Sequence, residues 1–93
     1  MKVLVIQQKM IGDVLTSSLL FEAIKQKYPN SETHYAINTH TYAVVEQNPF
    51  IDVFKFITPK IRESKIKFIE FLKEIKNEQY DVVIDVYSKT SVS

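Results

Sequence analysis

Lys2-Val-Leu-Val-Ile-Gln-Gln-Lys-Met-Ile-Gly-Asp-Val-Leu-Thr16 is the stretch that decides the fold. Val3 to Ile6 reads as a strand buried on both faces, the pattern of a parallel sheet. A helical pattern starts near Val14. The connection between them, residues 7–13, holds Gly12, the only glycine in 93 residues, followed at once by Asp13. In an open α/β sheet the first strand-to-helix turn is where ligands bind. Gly12 and Asp13 are therefore the first residues to consider for chemistry.

Working outward, the pattern keeps alternating. A helix is predicted over 13–28, with Leu15, Leu19, Leu20, Ala23 and Ile24 as its apolar residues and Pro29-Asn30 as its stop. A strand follows over 32–37, then a short helix over 40–47 ended by Asn48-Pro49, and a third strand over 52–57. Residues 60–79 read as one long helix, with Ile61, Phe68, Ile69, Leu72 and Ile75 on one face. Asp81-Val-Val-Ile-Asp-Val86 reads as a fourth strand with the apolar run of a central parallel position. Right-handed crossovers then give an α/β, Rossmann-like parallel sheet of order 3-2-1-4. The carboxyl ends of strands one and four converge, which sets residues 7–13 beside residues 87–91. Strand four keeps an open edge and a partly open face. Residues 1–93 accordingly read as the front portion of a larger protein.

Composition removes several classes of function. With 45% hydrophobic and 25% charged residues the chain is globular. A net charge of +1 argues against nucleic acid as a partner. The absence of cysteine excludes a disulfide framework and a thiolate zinc site, and two histidines alone do not make a metal centre. No apolar run approaches the roughly 18–20 residues that span a bilayer, and no leader pattern opens the chain, so the expected location is the cytoplasm. A single glycine rules out both the dinucleotide fingerprint and the P-loop. Gln7-Gln8 stands where a phospho-acceptor receiver domain carries its acidic pair.

Asp13 has two readings. A carboxylate in the first turn of a helix accepts backbone N–H groups and favours the helix dipole. Set at a ligand-binding edge, it is also a candidate general base for an acceptor hydroxyl. Thr16, Ser17 and Ser18 follow within a turn and a half. Ser88, Lys89, Thr90 and Ser91 form a polar cluster past strand four that suits phosphate or sugar hydroxyls. Residues 55–76 carry seven Lys or Arg against three Glu. Within that run Lys60 and Arg62 stand just past strand three, at the same sheet edge, where they attract anionic groups. His34 and His40 read as structural or surface positions.

Three separated segments carry a resemblance. Lys2-Val-Leu-Val-Ile with Ile11-Gly12-Asp13-Val14-Leu15-Thr16, Leu19-Leu20, Ala23-Ile24-Lys25 and Tyr28-Pro29 forms the first. Asn48-Pro49-Phe50-Ile51-Asp52 and Tyr80-Asp81-Val82-Val83-Ile84-Asp85 are the others. Together they resemble the opening of the heptosyltransferases of lipopolysaccharide core synthesis, glycosyltransferase family 9. The resemblance implies a GT-B fold of two Rossmann-like domains, of which 1–93 is part of the amino-terminal, acceptor-side one. A donor-binding carboxy-terminal domain is expected beyond it. The implied reaction is inverting transfer of a heptose from an ADP-heptose-type nucleotide sugar to a lipid-anchored oligosaccharide acceptor, without metal or cofactor, at the cytoplasmic face of the bacterial inner membrane. Asp13 takes the place of the family's Gly-Asp base, with Gly12, Thr16, Lys60, Arg62, Ser88, Lys89 and Thr90 on the acceptor side. Gln7-Gln8, where many members have Arg, and Tyr87-Ser88, where many have Gln-Gly, depart from the family pattern in the acceptor region and leave the identity of the acceptor open. The competing expectation is a non-enzymatic α/β binding module in which Gly12 and Asp13 only turn and cap.

Overall fold

In the computed structural model residues 1–86 are described, and they form one parallel sheet of order β3-β2-β1-β4. The elements run β1 (Lys2–Gln7), α1 (Ile11–Lys27), β2 (Glu32–Asn38), a 3-10 helix (Thr39–Val44), β3 (Val53–Ile57), α2 (Pro59–Glu63), α3 (Lys65–Asn77) and β4 (Val82–Asp85). The strand order is the expected one. Register pairs Val5 with both Tyr35 and Ile84, and Ala36 with Lys55.

Because β1 lies between two strands and under both helical layers, Val3, Leu4 and Val5 are almost wholly buried. Successive side chains alternate between faces. Val5 joins Val14, Phe21, Tyr35, Ile37, Val45 and Ile51 on the α1 side. Leu4 and Ile6 join Ala36, Ile57 and Phe71 on the α3 side. Each large aliphatic or aromatic side chain so buried contributes about 1.5–3 kcal/mol. Phe21 meets Tyr35 edge to face, with ring centroids 4.8 Å apart.

Three local features differ from the sequence reading. The segment read as one helix over 60–79 is two, because Ser64 is extended (φ −117°, ψ 121°) and caps α3 with its side chain accepting from Lys67 N. Thr58 caps α2 in the same way, ahead of Pro59. Capping chemistry here outweighs continuous apolar periodicity. The short helix expected over 40–47 is a 3-10 helix over Thr39–Val44. Leu15, Leu19 and Leu20 face solvent, and α1 instead buries Val14, Ser17, Ser18 and Phe21. The two serines are small enough to let α1 lie close to the sheet. As expected, β4 is an edge strand among the described residues, with Val82 and Val83 exposed. Its apolar run matches a central position, while its open edge matches the topological expectation.

The amino edge of the sheet is tied by a dense polar network. Asp52 Oδ2 accepts from Thr33 N (2.9 Å), Thr33 Oγ1 (3.1 Å) and Lys25 Nζ (2.7 Å). Asn48 Oδ1 accepts from Phe50 N (2.8 Å), forming the turn that delivers Asp52. Lys2 N donates to Asp81 Oδ2 (2.8 Å), and Asp81 N donates back to Lys2 O (2.8 Å). Tyr80 Oη contacts His34 Nδ1 at 2.7 Å, and His34 Nε2 pairs with Glu32. Buried His34 is thus structural, as expected. Glu78 binds Lys2 and Lys55, and these hydrogen bonds, the one from Lys2 foremost, hold its carboxyl at about 2. The Asn48–Asp52 and Tyr80–Asp81 motifs therefore serve the fold.

Candidate functional site

The carboxyl edge is built from the ends of β1 and β2. Parity places Gln7 on the same face as Val5, beneath α1. Its Nε2 donates to Ser17 Oγ (2.9 Å) and its Oε1 accepts from Lys9 N (3.1 Å). Asn38, at the end of β2, donates from Nδ2 to Gln8 O (2.7 Å). Tyr35 Oη donates to Val14 O (2.9 Å), with burial pushing that phenol well above its usual range. Three side chains from two strands thus fix the connection at residues 8–10 and the first turns of α1 from below. Gln7 was read from the sequence as part of the acceptor region. It is instead 98% shielded support for the turn, since its relative exposure is 2%. The strand's own alternation carried that signal.

Gly12 sits inside the helix rather than in the turn, because α1 starts at Ile11, two residues before the predicted start. Its φ is not positive, and a Cβ built on it would meet no atom within 4 Å. The fold does not require glycine there. The positive φ lies elsewhere, at Gln79 (φ 58°), just past the end of α3.

Asp13 lies in the first turn of α1 and is exposed. The cap position is Met10, which makes no side-chain cap hydrogen bond. Among the described residues the Asp13 carboxylate makes no hydrogen bond and no ion pair. The expected backbone-capping bond is therefore not made, while proximity to the helix dipole remains. Thr16 Oγ1 donates to Gly12 O (2.9 Å), so its proton is engaged within the helix and its lone pairs are open. Lys60 and Arg62 are exposed on α2 past β3. Two inter-strand spacings, about 10 Å, separate β3 from β1. They share an edge with Asp13 but not a cleft. Lys55, from the same basic run, is held by Glu78 and Glu74. Ser88, Lys89 and Thr90 lie outside the described residues.

A cleft at the start of α1 is lined by Met10, Ile11, Gly12 and His40 and has a volume of about 400 Å³. His40, read from the sequence as a structural or surface position, is exposed. That reading missed its position at the cleft. The available signal was topological: residue 40 follows β2 at the same edge that singled out residues 7–13. Among the described residues no three His, Asp or Glu side chains gather in a group fit for a metal ion, and no helix is long and apolar enough to cross a membrane.

A parallel 3-2-1-4 sheet with helices packed on it defines a Rossmann-like α/β unit, a class that binds ligands beyond the carboxyl ends of its strands. The comparisons point to a particular group. Over 89 residues the chain is 29% identical to a Haemophilus influenzae protein provisionally named a glycosyltransferase, covering 96% of this chain and 25% of that one. It is 24% identical over 87 residues to lipopolysaccharide heptosyltransferase 1 of Campylobacter coli, covering 92% and 25%. The crystal structure of a family 9 glycosyl transferase from Veillonella parvula superposes with a TM-score of 0.79 at 28% identity, covering 90% of this chain and 25% of that one. No protein-family model matches. The chain spans about a quarter of the length of these relatives. The expected likeness to glycosyltransferases of family 9 extends over most of its residues.

Proposed function

We propose that this chain forms the acceptor-side opening of a GT-B glycosyltransferase that moves a heptose or related sugar from an ADP-sugar donor to a lipopolysaccharide core acceptor. The observation that carries this reading is the Asp13 carboxylate, exposed at the first strand-to-helix junction without a hydrogen bond among the described residues. The likeness to a heptosyltransferase and to a family 9 structure supports the choice of sugar chemistry.

In this mechanism Asp13 accepts the proton of the acceptor hydroxyl as that oxygen attacks the anomeric carbon of the donor. The bond from the anomeric carbon to the diphosphate oxygen breaks, and ADP leaves with its electron pair. Attack opposite the leaving group inverts the anomeric centre. Lys60 and Arg62 supply positive charge on the acceptor's path, suited to its phosphates. Gly12 lets the acceptor come close to the helix backbone, and Ser88, Lys89 and Thr90 extend the acceptor side. A second domain, in the length by which the relatives exceed this chain, binds the nucleotide sugar, and residues 1–93 do not transfer by themselves. The enzyme works in the cytoplasm against the inner membrane surface, where a lipid-anchored acceptor is presented.

The test is Asp13→Asn in the full-length enzyme, assayed by transfer from ADP-heptose to a heptose-deficient core oligosaccharide. A general base contributes roughly 10²–10⁴-fold, so kcat falls by that factor, while loss of the charge from the first turn lowers stability by only about 0.3–1 kcal/mol. Transfer at the wild-type rate would remove Asp13 from the mechanism. The module reading instead expects Asp13→Ala to cost about 1 kcal/mol of stability and no activity.

A further inference from the structure

We propose that the cleft between Met10–Gly12 and His40 seats the ring of the acceptor sugar, and that His40 is a binding residue for it. The inference rests on the transferase reading above and goes beyond it by naming a residue and a mode of recognition. A pyranose has an apolar face of C–H groups and a rim of hydroxyls, so a matching site needs an apolar wall and a polar contact. The cleft supplies both. Met10 is 78% exposed and Ile11 46%, so both offer apolar surface to the cleft. The His40 imidazole lines the same cleft, a ring with one nitrogen that donates and one that accepts when neutral.

The volume of about 400 Å³ falls in the lower part of the range of small-molecule sites, roughly 300–1,000 Å³. Gly12 lines the same cleft, and the space a Cβ would fill is empty. A ring laid there comes against bare helix backbone, with Asp13 one residue further on. His40 is held in place by its neighbours: Asn38 anchors the end of β2 to Gln8 O, and Thr41 Oγ1 donates to Asn38 O (2.8 Å). The imidazole itself makes no hydrogen bond or ion pair among the described residues and is free to meet a ligand. Apolar contact on one side and a hydroxyl bond on the other then orient the ring, and its reacting hydroxyl is presented to Asp13.

The experiment measures steady-state transfer by the full-length enzyme from ADP-heptose to deacylated, heptose-deficient core oligosaccharide. It compares wild type with His40→Ala, His40→Gln, Met10→Ser and Asp13→Asn. Loss of one neutral hydrogen bond should raise the acceptor KM about fivefold in His40→Ala, with kcat within twofold and the donor KM unchanged. His40→Gln, which still offers a donor and an acceptor, recovers most of that loss, and Met10→Ser raises the acceptor KM as well. An unchanged acceptor KM in His40→Ala, with Asp13→Asn inactive, overturns the assignment of His40 and leaves the transferase reading standing. Full activity in Asp13→Asn, or no transfer by wild type, overturns the underlying reading instead.

Discussion

The two edges of this sheet are built on opposite plans. At the amino edge charged groups are matched with partners: Asp52 with Lys25 and Thr33, Glu78 with Lys2 and Lys55, Glu32 with His34, Asp81 with the backbone of Lys2. At the carboxyl edge the exposed charged and titratable side chains Asp13, His40, Lys60 and Arg62 have no such partners among the described residues, while buried Gln7 and Asn38 brace the backbone under them. A polar group used for folding is most effective when satisfied by its own chain. One used for binding must be left for the ligand. The contrast separates two kinds of motif in a sequence where both look alike.

The sharpest break of that contrast is a crossed pair of substitutions. Asp13→Asn should abolish most transfer and lower stability only by the first-turn charge effect, about 0.3–1 kcal/mol. Asp52→Ala should do the reverse, lowering stability by about 1–2 kcal/mol by stripping partners from Thr33 and Lys25, seen as a lower thermal midpoint with kcat preserved. If Asp52→Ala is neutral to unfolding, the amino edge is not the clasp described here.

A second pair exchanges the glycine logic. Gln79 occupies a left-handed conformation where glycine is favoured, past the end of α3. Gln79→Gly should therefore stabilise the fold by about 0.5–1 kcal/mol. Gly12→Ala should leave the fold intact or slightly more stable, since its Cβ has open space. The same Cβ enters the cleft, so Gly12→Ala raises the acceptor KM. Denaturant unfolding together with acceptor kinetics checks both halves.

The smallest effect concerns acid. The folded state holds the Glu78 carboxyl at about 2, against an ordinary value of 4.5. A depressed carboxylate stabilises fully above its unfolded value, and the contribution is lost as pH falls through the folded one. The Asp52 carboxyl is lowered as well, because hydrogen bonds from Lys25 and Thr33 outweigh the opposing effect of burial. Stability should thus decline between about pH 4.5 and 2, and Glu78→Gln should flatten that decline in a melting-temperature profile.

Much of the architecture was legible in local chemistry. Apolar runs at 3–6 and 82–84, stop signals at Pro29 and Pro49, and the right-handedness of crossovers suffice for four parallel strands in the order 3-2-1-4. Ser64 was equally legible as a cap, but an apolar stripe continuing across it hid the break. The exposed leucines of α1 were not legible, because a helix apolar on several faces does not declare which face meets the sheet.

The candidate site divides along the same line. Sequence alone marked Gly12 and Asp13, since a lone glycine and a carboxylate at a strand-to-helix junction follow from chain-local spacing. It also determined the topology, because period, stop signals and handedness are properties of the chain itself. Only the tertiary structure separated Asp13, left open, from Asp52 and Asp81, consumed by the fold. It alone brought His40, past β2, to the cleft that Gly12 also lines, turned Gln7 from a contact into a support, and showed that the glycine answers no need of the backbone. Those distinctions depend on which side chains meet across elements distant in sequence, and no local pattern encodes them.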